Sequence, residues 1–275
     1  MTLRFAAEGG RTRLRVLQQD PPWKVVRAFP QAGGQALVHL HNVSGGVLAG
    51  DRLALDIDVA PEAAAQITTT GATRLYRHRA GRPDSEQQLT ISVGQHGLLE
   101  YLPDAVIPFA GSRHRLRTQV RLAPGATLFW WEVLAPGRQA AGERFAFERL
   151  GAEIDVRVGG RPILRENFLL EPAERPLGVT ARMGEYSYLA SFYACREGDP
   201  AAFWRAVEDN LNEVANQRTQ PGETTWGVST LASDGVLVRG LSVTGRSIPA
   251  ALREFWRAAR RAIGGDDPVP PRKVG

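Results

Sequence analysis

From Asp51 to Val59 the residues alternate with a period of two: Asp51, Leu53, Leu55, Ile57 and Val59 fall on one parity, Arg52, Asp56 and Asp58 on the other. That period marks a strand with one covered face. It returns at Leu89, Ile91 and Val93 against Thr90 and Ser92, and at Ile154, Val156 and Val158 against Glu153, Asp155 and Arg157. Turn signals at Asp20-Pro21-Pro22, Gly33-Gly34, Gly45-Gly46 and Gly159-Gly160 separate such runs. A chain patterned this way is mainly β, and its 275 residues suffice for one large β domain or two smaller ones.

The stretch His39 to Leu53 carries Gly45, Gly46 and Gly50 and no proline. Glycine tolerates positive φ and close backbone approach, so a tight irregular loop joining two strands is predicted here. It is not a phosphate loop, since no Lys-Ser/Thr pair follows and a strand rather than a helix comes next. Asp51 leaves the loop at the head of an apolar face. A desolvated, unpaired carboxylate is costly, so Asp51 must either accept backbone N–H bonds and brace the loop or line a polar channel.

Two further acids pose the same question. Glu100 shares its parity with Leu98 and Leu102, and Glu166 lies on the face of Leu164, Phe168 and Leu170. Asp104 follows Glu100 between Pro103 and Pro108, which mark a corner or an edge. A carbohydrate hydrolase using Glu100 and Asp104 is an alternative that requires the two carboxylates about 5–9 Å apart in an open groove. The run Thr127 to Leu134, with Glu132 between Trp130 and Leu134, reads as core or interface. Gly137 and Gly142 bracket a constrained loop in which arginine pairs with Glu143, and Gly71 ends the threonine run 68–70. His39 and His41 share one strand face, either as satisfied core histidines or as a transient metal site.

Two amphipathic helices stand out from this β background. The first opens with Asp199 as N-cap and Pro200 at the first helical position, and carries Phe203, Val207, Leu211 and Val214. The second starts near Ser247, carries Ile248, Ala251, Leu252, Phe255, Ala259 and Ala262, and ends at Gly264-Gly265. Between them, 225–230 and 235–243 form a hairpin turning at Ser233-Asp234-Gly235. The domain expectation is one unit over 1–275: strands over 1–198, two helices flanking a hairpin over 199–265, and an extended tail over 266–275.

The single cysteine, Cys195, rules out an internal disulfide and any cysteine-rich metal site, and its aromatic neighbours make it a buried thiol. The +5 charge is almost all arginine and is spread along the chain, with local density at 74–82 and 253–261. That is a solvated surface or a protein interface rather than the focused stripe of a nucleic-acid binder. With no long apolar run and no signal-peptide pattern, a cytoplasmic protein without membrane attachment is expected.

Taken in order, five segments resemble the urease accessory protein UreD family, called UreH in some organisms. They are Ser-Gly-Gly-Val-Leu-Ala-Gly-Asp-Arg-Leu at 44–53, Thr-Thr-Thr-Gly-Ala-Thr-Arg-Leu-Tyr-Arg at 68–77, Leu-Glu-Tyr-Leu-Pro-Asp-Ala-Val-Ile-Pro-Phe at 99–109, Gly-Arg-Gln-Ala-Ala-Gly-Glu-Arg-Phe at 137–145, and the closing helix with Pro271-Arg272. The resemblance implies a β-helix-like stack of strands with the two helices packed beside it, and no catalysis of its own. It further implies a scaffold that binds UreF and through it the GTPase UreG, docks on apo-urease, and assists nickel insertion. Nickel would be in transit through an internal channel, with no tightly bound cofactor. The inward acids Asp51, Glu100 and Glu166 are the channel candidates on this reading, and Asp104 and Glu143 are channel or loop-bracing groups. Oxygen ligands suit transit, because nickel held tightly prefers imidazole or thiolate.

Overall fold

The computed structural model describes residues 1–264 and 267–271. Its strands are β1 (Thr2–Glu8), β2 (Arg11–Gln18), β3 (Trp23–Lys24), β4 (Ala28–Pro30), β5 (Ala36–Asn42), β6 (Arg52–Val59), β7 (Ala64–Thr69), β8 (Thr73–Leu75) and β9 (Ser85–Val93). They continue as β10 (Leu98–Leu102), β11 (Val106–Pro108), β12 (Arg113–Leu122), β13 (Thr127–Leu134), β14 (Arg149–Val158), β15 (Arg161–Leu170), β16 (Tyr188–Arg196), β17 (Thr224–Thr230) and β18 (Gly235–Ser242). The α-helices are α1 (Ala201–Arg218) and α2 (Ile248–Gly264).

The chain passes back and forth between two sheets. β6, β9, β12 and β14 pair in parallel in the first sheet, and β5, β7, β10 and β13 pair in parallel in the second. Each return places a strand beside the one laid down a turn earlier, which is the β-helix-like stack that the family resemblance implies. The first sheet runs β15-β14-β12-β9-β6-β1-β2 and the second β17-β18-β16-β13-β10-β7-β5-β3. Antiparallel hairpins close both ends of the first sheet and extend the second.

In-register stacking turns the period-two pattern into apolar columns. Ile57, Ile91, Val120 and Val156 form one such column on the inner face of the first sheet, and Val59, Val93, Leu122 and Val158 form the next. Across from them, Val38, Ile67, Tyr101, Trp130, Tyr193 and Leu237 follow one another over the inner face of the second sheet. The outer face of the first sheet meets solvent. That of the second is buried by α1 and α2 through Trp204, Val207, Leu211, Phe255 and Trp256. Hence β10 is buried on both faces and shows no alternation at all.

The sequence expectations for the helices need three corrections. Pro200, not Asp199, is the N-cap of α1, and its ring has no acceptor to offer a helix N–H; the Asp199 carboxylate is held instead by Arg196 at 2.5 and 2.8 Å. The buried stripe of α1 is Trp204, Val207, Leu211 and Ala215, one residue on from the expected Phe203 and Val214, which flank it. In α2, Ile263 is buried where Ala262 was expected. Gly265, the second residue of the expected helix stop, and the tail positions 266 and 272–275 lie outside the described residues.

The helix layer leaves no slack at Gly240. A Cβ there would stand 2.3 Å from Cε3 and Cζ3 of Trp226, whose ring packs on Phe255 with centroids 5.1 Å apart. Gly240→Ala is therefore expected to destabilise the fold by about 1–3 kcal/mol, the range for overpacking a filled core, read as a lowered urea midpoint with an unchanged slope.

Candidate functional site

The inner columns are not apolar throughout. Toward the start of the strands the rung Leu53, Gln87, Leu116 and Ala152 and its neighbour Leu55, Leu89, Thr118 and Ile154 each contain one polar side chain. Opposite, Glu132 is in register with Ser191, and Ser191 with Arg239. The two sheets cannot interdigitate around these groups as they do around the apolar columns. They leave a cavity of ≈ 90 Å³ lined by Gln87, Tyr101, Asp104, His114, Thr118 and Glu132 among apolar neighbours such as Leu134 and Phe168. That is room for a few waters or a hydrated ion. The Thr118 Oγ1 hydroxyl is buried without a hydrogen-bond partner among the described residues, which points to a polar occupant.

Burial in this space shifts the titrating groups. Burial pushes the Glu132 carboxyl up to about 8; the nearby Glu166 adds to the shift and Arg239 opposes it. By surface area Glu132 is only half-buried, and the surface it retains lies against the cavity. Burial likewise raises the Tyr101 phenol, with Glu132 contributing. It holds His114 down to about 4, against the pull of Asp84, so the ring is neutral at pH 7.

The tautomer of His114 follows from its neighbour. Ser85 Oγ gives its one proton to the Arg113 carbonyl at 3.0 Å, so at 2.9 Å from His114 Nδ1 it must accept. Nδ1 thus carries the hydrogen and Nε2 keeps its lone pair. At the far side of the cavity, Glu166 is ion-paired with Arg239 and accepts from the Tyr193 hydroxyl at 3.4 Å.

The cavity adjoins two surface depressions. Thr69 lines all three spaces, Trp23 and Thr73 line the cavity and one depression, and Thr70 lines both depressions. The larger depression, ≈ 650 Å³, holds His39 and His41 together with Val26, Arg27 and Phe29. The segment 69–73 is therefore where outer surface and inter-sheet space meet.

The family profile described as UreD urease accessory protein matches residues 1–274. The chain belongs to the UreD urease accessory protein family. A UreD of Herpetosiphon aurantiacus is 45% identical over 274 residues, covering 100% of this chain and 95% of that protein. A UreD of Pseudomonas aeruginosa is 32% identical over 273 residues, covering 99% and 92%, and one of Escherichia coli is 31% identical over 271, covering 98% and 94%.

In this UreD family member the acids singled out from the sequence fall into separate surroundings. Asp51 lies in the turn before β6, where its Oδ2 accepts the Leu48 N–H at 2.8 Å and its own N–H donates to the Leu48 carbonyl. Glu143 accepts the N–H groups of Ala110 and Arg138 and the Arg138 guanidinium, and this last bond is the main cause holding its carboxyl below the usual range. Glu100 is wholly buried, yet it faces α2 rather than the space between the sheets. Asp104 is bonded to Thr69 and lines the cavity, so Glu100 and Asp104 do not meet in one open groove. Glu166, on β15 of the first sheet, is ion-paired with Arg239 on β18 of the second and does not line the cavity.

The glycine expectations divide as well. A Cβ at Gly46 would lie 2.5 Å from the Tyr76 ring and 2.7 Å from the Arg74 carbonyl, and Gly137, with φ 136°, is crowded by Glu143. Gly71 has neither a left-handed φ nor a close neighbour, so nothing in its geometry demands glycine. Gly45, Gly50 and Gly142 take positive φ. His39 is buried edge-on to Phe29, with ring centroids 5.6 Å apart.

Glu132 and His114 were not among the sequence candidates. The signal for Glu132 was present, since its parity with Trp130 and Leu134 is the observation that singled out Glu100. His114 sits between Arg113 and Arg115 and looks like part of an exposed strand until the register is known. Among the described residues, no three His, Cys, Asp or Glu side chains converge as a metal site.

Proposed function

We propose that this chain is a non-catalytic scaffold of urease maturation, acting in the cytoplasm. It binds a UreF-like accessory protein and through it a UreG-like one, docks on apo-urease, and lets nickel pass through the polar space between its sheets. The observation that carries this reading is a cavity into which Gln87, Asp104, His114, Thr118 and Glu132 bring polar groups, sharing Trp23, Thr69 and Thr73 with the adjoining surface depressions, inside a chain of the UreD family. No helix among the described residues is long and apolar enough to cross a membrane.

The donor set suits a cargo ion better than a resident one. Carboxylate and hydroxyl oxygens from Asp104, Glu132 and Thr118 offer weak, exchangeable contacts, and the Nε2 lone pair of His114 offers the single stronger one. An ion passed among such groups keeps much of its water and moves on. Protonated Glu132 must give up its proton to bind a cation, so occupancy of the cavity is opposed at low pH and favoured as pH rises.

The test is coexpression with urease and the other accessory chains, scoring both co-purification and urease activation. The Ala152→Phe variant places a ring in the cavity while leaving every surface unchanged. It is expected to keep its partners and to lower activation by about an order of magnitude or more, as closing a narrow conduit does. Activation at the wild-type level by the plugged chain sinks the passage; failure of the wild-type chain to associate sinks the scaffold.

A further inference from the structure

Four of the five sequence segments singled out above meet at one place on the surface, away from the inter-sheet cavity lining. Leu48 from 44–53, Tyr76 and Arg77 from 68–77, Phe109 from 99–109 and Arg138 from 137–145 line a concavity of ≈ 560 Å³, joined by Arg79 and Ala110. Its parts are held in place by the loop-bracing groups. Asp51 pins the Leu48 backbone, leaving that side chain 47% exposed. Gly46 admits the Tyr76 ring, and Glu143 holds the Arg138 guanidinium over the Phe109 ring at 4.4 Å.

The charge around this concavity is unbalanced. Several arginines elsewhere face carboxylates, as in Arg113–Glu148, Arg117–Glu86 and Arg149–Glu171, and others stand singly on the surface; here four unpaired ones fall within nine residues. Among the described residues, none of Arg74, Arg77, Arg79 and Arg82 is ion-paired to a carboxylate, and the adjacent Asp84 is occupied by Arg149 at 3.5 Å and His78 at 3.9 Å. Arg74 and Arg77 make only long contacts, 3.4 Å each, to the carbonyls of Gly45 and Ala110. An apolar floor rimmed by uncompensated guanidinium groups recognises carboxylates flanking an apolar side chain.

We propose that this concavity is a docking surface for an acidic peptide segment of a partner protein, one that seats an apolar side chain on Leu48 and Tyr76 and pairs its carboxylates with Arg77 and Arg79. A nucleic acid fits less well. The Phe109 face is covered by Arg138, and the Tyr76 and Phe109 rings stand edge to face at 5.2 Å, so neither presents an open stacking platform. The inference does not rest on the urease reading and is tested without it.

The probe is a fluorescein-labelled Asp-Glu-Leu-Glu-Asp peptide, titrated with the full chain and read by anisotropy, beside a labelled oligothymidylate. Saturable, salt-sensitive peptide binding is expected, weakened when serine replaces the leucine. The Arg77→Glu, Arg79→Glu double variant is expected to lose about tenfold or more, equivalent to about 1.4 kcal/mol. The Arg253→Glu, Arg257→Glu control on exposed α2 positions is expected to bind as wild type, with circular dichroism verifying the fold of both. Absence of peptide binding up to millimolar concentration, or equal binding by the double variant and the control, overturns the proposal. Tighter binding of the oligothymidylate, lost in the same double variant, assigns the surface to nucleic acid instead.

Discussion

Glu100→Ala is expected to cost about 3–5 kcal/mol, the range for removing one partner of a buried charge pair, and so to consume much of the stability of a typical domain. The carboxylate is wholly inaccessible and fully engaged. Oε2 accepts from the side-chain amides of Gln35 at 2.9 Å and Gln66 at 2.7 Å, while Oε1 accepts Trp256 Nε1 and Arg260 Nε at 3.1 Å each. Gln66 is also its register partner on β7, so one group ties the second sheet to α2. Truncation takes the acceptor from an indole N–H, the Gln35 amide and a guanidinium, and leaves the Gln66 amide with the Val269 carbonyl alone; the penalty for such orphans exceeds the value of the bonds themselves. Glu100→Gln keeps an acceptor but gives up the ion pair, so a smaller loss is expected. Urea denaturation followed by tryptophan fluorescence measures both; a Glu100→Ala loss below about 1 kcal/mol contradicts the assignment.

Glu100 also shows where reading the sequence stops. Parity correctly places it on an apolar face, since Leu98 and Leu102 do pack with the helix layer. Parity says nothing about which apolar face, and the second sheet has two: one against the first sheet, one against α1 and α2. Asp51, Glu100 and Glu166 therefore look alike in the sequence and end in three surroundings. The strand runs and the turns at Gly159-Gly160 and Ser233-Asp234-Gly235 were legible because they depend on local pattern alone. The rung of Glu132, Ser191 and Arg239 joins residues far apart in the chain through register, which no local pattern encodes. The same holds for His114 and Ser85, brought together by the parallel pairing of β12 with β9. Motif resemblance, by contrast, located segments that meet in space, as the concavity around Phe109 shows, without saying what they meet for.

Glu132→Gln is expected to change how stability depends on pH, and the sign follows from the raised carboxyl. Below the ordinary value of 4.5 the group is protonated in both folded and unfolded chains and contributes no difference; between 4.5 and about 8 the folded chain keeps a proton that the unfolded chain has released. Stability therefore falls as pH rises through that window and levels off above it. Glutamine is close to isosteric with the protonated acid and cannot ionise, so the variant should match wild type near the acid end and exceed it above about pH 8 by about 1–3 kcal/mol. The figure is kept below the full shift because the carboxyl retains surface toward the cavity, and because glutamine also gives up attraction to Arg239. Other groups bound the useful range. His114, held down to about 4 from 6.5, makes stability fall as pH drops below 6.5, and the Cys195 thiol, pushed by burial up to about 12 from 9, matters only at higher pH. Between pH 6.5 and about 8.5 the wild-type slope belongs chiefly to Glu132, so urea midpoints there isolate it. A variant that parallels wild type across that range removes Glu132 from the cavity's chemistry. A flattened profile establishes a carboxyl that exchanges its proton near neutral pH inside the sheets, the property a cation moving through that space requires.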